Sequence, residues 1–337
     1  MYPRVSTYEW SETKDSHEWD SFVGRNGGSI FHTWSWRMVL ESANQRPFYV
    51  ACRDSNGEIL AVCPFFYQPR KVLNYLESLP DSNSAGPIIG DQSINLPRLL
   101  NSLRKAVRFT PLSPVIAMRI RTRQSQLIEA MVDLGFQYTK TQVFVVDLQK
   151  TDPLHIWSNG FLKHDRQAVK HYEGMNATFN FARNEDDYGE YLSLENGIHY
   201  TKRNECTQLL NRMRTHMGNQ LRVALTFLDG KVIAGASLLC YPPSSTLCLK
   251  MTLYNQPPRN IHSPVTYLNW KIVNWARENG FRYVEFGSFS YDTDNRLYFH
   301  SSRLKARFEV SPAPRYEFIL PTSDTYYSIA RRLSRAR

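Results

Sequence analysis

The sequence has no apolar run long enough to span a bilayer; the longest, Ile59 to Tyr67, has nine residues and contains Pro64. It also lacks a signal-peptide core, because Met1-Tyr2-Pro3-Arg4 leads into Glu9, Glu12, Lys14 and Asp15. Both absences set the expectation of a cytoplasmic protein without a transmembrane segment. The five cysteines, Cys52, Cys63, Cys206, Cys240 and Cys248, are scattered and never in CxxC spacing, which argues against a disulfide framework and a zinc site. Four of them sit beside apolar residues, where a small buried thiol is the plain reading. No metal is expected. G-x-S-x-G, H-E-x-x-H and a P-loop are missing too, against hydrolase, metalloprotease and NTPase chemistry.

Acidic residues are in the minority. Asp and Glu total 31 against 41 Lys and Arg, giving a net charge of +10 and a pI near 9.3. Such an excess favours polyanionic partners, whether nucleic acid, anionic lipid or a phosphate-bearing ligand. Its densest piece is the basic C-terminal tail, 323–337, with Arg331, Arg332, Arg335 and Arg337. A frayed, solvated end explains that cluster equally well. With 42% hydrophobic and 13% aromatic residues in 337, the chain is expected to pack as two globular domains.

An internal echo supports the division. Asn56-Gly57 and Asp229-Gly230 are both type I′ turn signals. The first is flanked by Phe48 to Cys52 and Ile59 to Tyr67, the second by Leu221 to Leu228 and Val232 to Tyr241. After the first hairpin come a helix over 96–109, a strand over 115–120, a helix over 126–134 closed by Gly135, and a strand over 142–148. After the second come a strand over 247–254 and a helix starting at Ser263-Pro264, a cap followed by an N1 proline. Val265, Leu268, Ile272, Trp275 and Ala276 form that helix's apolar stripe, and Gly280 ends it. A strand over 281–286, a short helix around Leu304 and a strand over 316–320 complete the second half. The boundary is expected near Thr151-Asp152-Pro153, giving domains 1–150 and 151–322.

Four segments carry a family likeness. Phe31 to Trp36 resembles an early Phe-x-x-x-x-Trp segment, which brings in Trp36. The stretch 161–174, with Arg166 and Lys170, resembles a basic helix opening the second half. Phe281 to Ser288 resembles an Asp-Phe-Gly strand end, and Leu304 to Phe308 resembles a Phe-Lys-x-x-Phe-Gly closing motif. Together with the element order, these resemble the FemAB-like acyltransferases, the duplicated form of the GNAT superfamily. The resemblance implies an α/β fold of two tandem GNAT-like domains, each a mixed, mostly antiparallel sheet flanked by helices. Glu285 stands where the family usually has Asp, and Glu309 where it usually has Gly. The long helical arm of the tRNA-using members is not evident.

Amine acylation needs a proton acceptor, an oxyanion donor and a site for an activated carrier. In a GNAT fold the oxyanion donor is a backbone N–H on a splayed central strand, here 247–254, and the carrier's pyrophosphate meets the next helix N-terminus, here at Pro264. The loop 255–263 between them holds Arg259 and His262 but no glycine, so the coenzyme A signature is absent. Lys163, Arg166 and Lys170 share one face of the helix expected over 161–173, as a solvated face or as a phosphate clamp. Glu285 is a base or a loop-ordering group. Ser288 lies beside it, and His199 lies in a stretch expected on the acceptor side. Lys305 matches the closing-motif lysine, which the resemblance places near the reacting carbonyl and phosphates.

The resulting expectation is an acyltransferase moving an acyl or aminoacyl group from acyl-CoA or aminoacyl-tRNA to an amine of a larger, phosphate-bearing acceptor. The rivals are a tRNA-dependent cross-bridge-type transferase and a non-catalytic module binding a phosphorylated ligand. The expected catalytic residues are Lys305, Glu285 and His199; Arg166, Lys170, Trp36, Arg259 and Ser288 are the expected substrate-binding residues. The oligomeric state stays open.

Overall fold

The structure is a computed structural model that describes residues 8–69, 74–80, 82, 85–91, 93–107, 109–110, 113–194, 196–197, 203–256, 262–289 and 311–322. It divides into two compact units, one of Met1–Thr141 with Pro314–Arg337, the other of Gln142–Ala313. The division falls inside a strand, ahead of the 151–153 segment where composition alone would place a linker.

In chain order, the first unit carries β1 (Glu9–Glu12), α1 (Ser16–Arg25), α2 (Trp34–Glu41), β2 (Arg46–Arg53), β3 (Ile59–Pro69), β4 (Asn74–Ser78) and β5 (Ile88–Ile89). It continues with α3 (Leu96–Ala106), β6 (Phe109–Thr110), β7 (Ser113–Thr122), α4 (Ser125–Asp133) and the start of β8 (Gln137–Asp147). The second opens with α5 (Pro153–His155), which runs into a π-helical turn over Ile156–Gly160, then α6 (Lys163–Gly174), β9 (Thr178–Phe181) and α7 (Glu185–Ser193). There follow β10 (Asn196–Gly197), α8 (Arg203–Met217), β11 (Leu221–Leu228), β12 (Lys231–Tyr241), β13 (Thr246–Tyr254), α9 (Pro264–Glu278) and β14 (Tyr283–Phe289), before β15 (Ser311–Pro321) ends the chain's described elements.

The two units repeat one pairing scheme. In the first, β1, β2, β3 and β4 are antiparallel neighbours, β4 and β7 are parallel, and β7 and β15 are antiparallel. In the second, β9, β11, β12 and β13 are antiparallel neighbours, β13 and β14 are parallel, and β14 pairs antiparallel with β8 from Gln142 to Asp147. Each sheet is thus mixed and mostly antiparallel, and the duplication read from the two hairpins is real.

Local chemistry explains most element boundaries. Ser263 caps α9 by accepting from Val265 N, and Pro264 stands at its start. Gly135 and Gly280 follow α4 and α9 with φ of 74° and 77°, the left-handed region that stops a helix. At the second hairpin Asp229 and Gly230 both have positive φ, 51° and 76°, as a type I′ turn requires. The first hairpin differs from expectation. Asn56 is not in the positive-φ region, and the Asp54 carboxylate instead accepts from Asn56 N and Glu58 N, wrapping a longer loop.

The strand expected over 316–320 forms, but within the first unit, with Phe318 opposite Ile120 and Leu320 opposite Met118. Phe318 and Leu320 are fully buried in that unit's core beside Met118, Ile120 and Leu127. Glu317 bonds Arg119 (3.1 Å) and Arg121 (2.7 Å) on the neighbouring strand. In the second unit the corresponding place, beside β14, is taken by β8. The short helix expected around Leu304 lies outside the described residues. In the second core, Leu268, Ile272 and Ala276 of α9 lie over Ala234, Ala236 and Leu238 of β12.

Candidate active site

The second sheet forks. β13 and β14 run parallel and pair at Thr246/Tyr283, Leu247/Val284 and Cys248/Glu285, and pairing then ceases although β13 runs on to Tyr254 and β14 to Phe289. A bulge lies directly past the last pair in each strand. On β13, Leu249 faces Leu238 while Met251 faces Ser237, so Lys250 is an extra residue. On β14, Glu285 faces Val145 and Gly287 faces Phe144, so Phe286 is extra, and Gly287 has φ of 88°. A bulged residue is left out of the ladder and bends its strand, so main-chain polar groups at the fork are released from sheet pairing.

Glu285 sits at the apex and is 5% exposed. Val284 and Phe286 belong to the core under α9, so alternation turns the Glu285 carboxylate to the opposite face, shared with Cys248. That face is covered by α7, whose Tyr191 packs on Gly235 and donates its hydroxyl to Met251 O (2.9 Å). A Cβ at Gly235 would stand 2.6 Å from Tyr191 Cδ2, so glycine is what lets the ring close down on the sheet.

On the α9 side, Tyr172 of α6 donates to His262 O (2.6 Å), beside the Ser263 cap. Burial pushes the Tyr172 phenol up to about 12, which keeps it a donor. Pro264 has no N–H and Val265 N is given to Ser263 Oγ, which takes two first-turn amides out of use for an anion. The amide cradle for a pyrophosphate is correspondingly poor at this helix end.

The expected site residues separate. Glu285 is at the fork, and Ser288 lies further along β14, opposite Val143. Arg166 points back to its own loop, its Nη1 donating to the carbonyls of Trp157 (3.1 Å), Ser158 (3.3 Å) and Phe161. Lys163 and Lys170 are exposed on α6. Trp36 is fully buried in the first unit, edge-on to Phe31 at 5.1 Å, and is a core residue there. Lys305, His199 and Arg259 lie outside the described residues. Sequence reasoning missed the two bulges, which carry no composition signal. It also passed over Thr266 and Asn269, polar residues within the apolar length of α9. Among the described residues no group of three or more His, Cys, Asp or Glu is placed to hold a metal, and no helix is long and apolar enough to cross a membrane.

Residues 160–294 match the family model described as the acetyltransferase (GNAT) domain. No curated protein sequence matches the chain significantly. Among solved structures, FemX is similar with a TM-score of 0.70 at 13% identity, covering 96% of this chain and 99% of that one. L-PGS from Bacillus licheniformis is similar with a TM-score of 0.57 at 14% identity, covering 97% and 98%. A tandem GNAT protein from the clavulanic acid biosynthesis pathway gives 0.56 at 12% identity, covering 94% and 99%. The chain thus shares the tandem fold of these structures, and both the match to the GNAT domain and the forked strands lie in its second unit.

Proposed function

We propose that the chain is an N-acyltransferase whose second unit holds an activated acyl group in the fork between β13 and β14 and passes it to an amine. The parting of this parallel pair at Cys248/Glu285, with a bulge in each strand beyond it, carries the reading. The acyl-bearing arm of the donor enters the fork, and a main-chain N–H freed around Lys250 faces the acyl oxygen. The amine attacks the carbonyl carbon; the C–N bond forms as the bond to the carrier breaks. The proton shed by the amine passes to the Glu285 carboxylate and on to the departing carrier atom. Lys305 is assigned, by its family likeness, to offset charge that develops in the transfer, and His199 is assigned a role toward the acceptor. Arg259, Lys170 and Ser288 bind the substrates' phosphates and polar groups.

The donor is an acyl-CoA or an aminoacyl-tRNA. The fork suits an acyl arm of either; the depleted amide set at the start of α9 argues for phosphate contacts from basic side chains instead of a helix-end cradle. The net charge of +10 fits a phosphate-bearing acceptor or carrier. Native mass spectrometry of freshly purified protein, with acetyl-CoA and bulk aminoacyl-tRNA added in turn, tests the reading. A one-to-one complex with either donor, lost on adding an amine acceptor as acylated product appears, is expected. Binding without turnover would favour the non-catalytic rival, and binding of neither would overturn the proposal.

A further inference from the structure

Asn269 is 4% exposed, and its Oδ1 is buried without a hydrogen-bond partner among the described residues. Thr266, 5% exposed, precedes it by one turn on the same flank of α9. A buried amide oxygen left unpaired is unfavourable to folding, and such atoms are rare enough in native proteins to need an account.

The position of this pair on the sheet follows from α9 itself. At about 100° per residue, Thr266, Asn269 and Val273 share one flank, and Trp275 lies on the other. Trp275 packs on Phe181 of β9 at 4.7 Å, and β9 lies beyond β11 at the sheet's far edge. The Thr266–Asn269 flank therefore faces the opposite way, toward β14. Height along the sheet is fixed by the return of the chain, since Arg282 N and Tyr283 N both donate to Ser245 O (2.9 and 3.0 Å) at the start of β13. Asn269 lies nine residues before Glu278, roughly 14 Å back along the helix. Lys250 lies four residues along β13 from Thr246, roughly 13 Å. Asn269 is thus level with the bulge, on the side where the two strands have separated.

We infer that Asn269, with Thr266 beside it, is a recognition site for a secondary amide in the substrate arm that occupies the fork. The Asn269 Oδ1 accepts from the arm's N–H, and the Thr266 hydroxyl is placed to donate to its C=O. The inference rests on the acyl-transfer reading of the fork and adds the chemistry its occupant must present. A secondary amide is supplied by the pantetheine arm of an acyl-CoA or by a peptide, and different probes separate these sources.

The test uses the full chain and two variants, Asn269→Leu and Thr266→Val, with acetyl-CoA and N-acetyl-alanyl-lysinamide as probes in calorimetric titrations. Removing an unpaired buried oxygen relieves its penalty, so Asn269→Leu should melt at the same temperature as the parent or higher when free. It should bind the recognised probe at least about tenfold more weakly. Thr266→Val should weaken the same probe in the same direction and leave the other unaffected. The source is acyl-CoA if acetyl-CoA is the sensitive probe and a peptide if the dipeptide is. Binding within twofold of the parent in both variants overturns the inference while leaving the acyl-transfer reading intact. A markedly lower melting temperature of free Asn269→Leu, with unchanged binding by Thr266→Val, also overturns it, because Asn269 is then structural. A parent chain that binds neither probe sinks the acyl-CoA form of the functional reading and this inference together.

Discussion

Replacing Arg166 with Ala should destabilise the second unit. The guanidinium Nη1 holds the carbonyls of Trp157, Ser158 and Phe161, which end the π-helical turn and lead into α6. Its two protons are shared among three acceptors, so the contacts count as about two charge-assisted hydrogen bonds, together worth roughly 2–3 kcal/mol after solvent competition. Trp157 and Phe161 also pack on Trp270 of α9, both at 5.4 Å, so a loosened loop loses aromatic contact as well. For a unit of this size each kcal/mol moves the melting temperature by about 2–4 °C, giving a fall of roughly 4–12 °C. Thermal unfolding followed by circular dichroism, with Arg166→Lys as a variant that keeps charge but loses the fork, measures it. An unchanged melting temperature in Arg166→Ala, accompanied by weaker binding of a phosphate-bearing substrate, would refute this reasoning and return Arg166 to a phosphate clamp.

Other outcomes follow from the same structure. Glu285→Gln should lower turnover about a hundredfold or more with little change in melting temperature, since the side chain keeps its size; full turnover in steady-state assays would remove Glu285 from the proton path. Gly235→Ala should cost about 1–3 kcal/mol in denaturant titrations, because the new Cβ meets Tyr191 and Leu225; a parental midpoint would contradict the packing. His32 is buried, accepts from Ser29 N at Nδ1, faces Gly86 O through Nε2, and has its pKa lowered by burial to about 4. The unfolded chain takes up this proton first, so the stability His32 supports is whole above about pH 6.5. It declines by about 3 kcal/mol as pH falls toward 4. Denaturant midpoints across that range should show a steeper loss in the parent than in His32→Gln, and equal slopes would count against it.

Much of the fold was legible because it rests on local chemistry. Asp229-Gly230 supplied the positive φ its turn needs, and Ser263-Pro264 and Gly280 bracket α9 as caps should. The Asn56-Gly57 hairpin was found with the wrong turn, because the Asp54 carboxylate competes for the loop amides. What stayed hidden is non-local. Nothing in Tyr316 to Leu320 states which sheet it joins; that choice lies in the burial of Phe318 and Leu320 and the pairing of Glu317 with Arg119 and Arg121. The site was half legible. Glu285 was picked out at an expected strand end, whereas β14 runs on to Phe289 and Glu285 marks where β13 and β14 part. The bulge at Lys250 depends on the register of β12 against β13, which periodicity does not encode. Arg166 read as a helix-face charge because spacing shows which face a residue shares, not that a long side chain folds back onto carbonyls.

The central claim is that the acyl donor occupies the fork of the second unit, and hydrogen exchange with and without acetyl-CoA tests it most directly. The account predicts slowed exchange in peptides covering 247–254, 264–270 and 283–289, with those from β2 to β4 unchanged. Donor binding that protects only first-unit peptides, or saturating binding that leaves the amides of β13 and β14 exchanging as before, would contradict it.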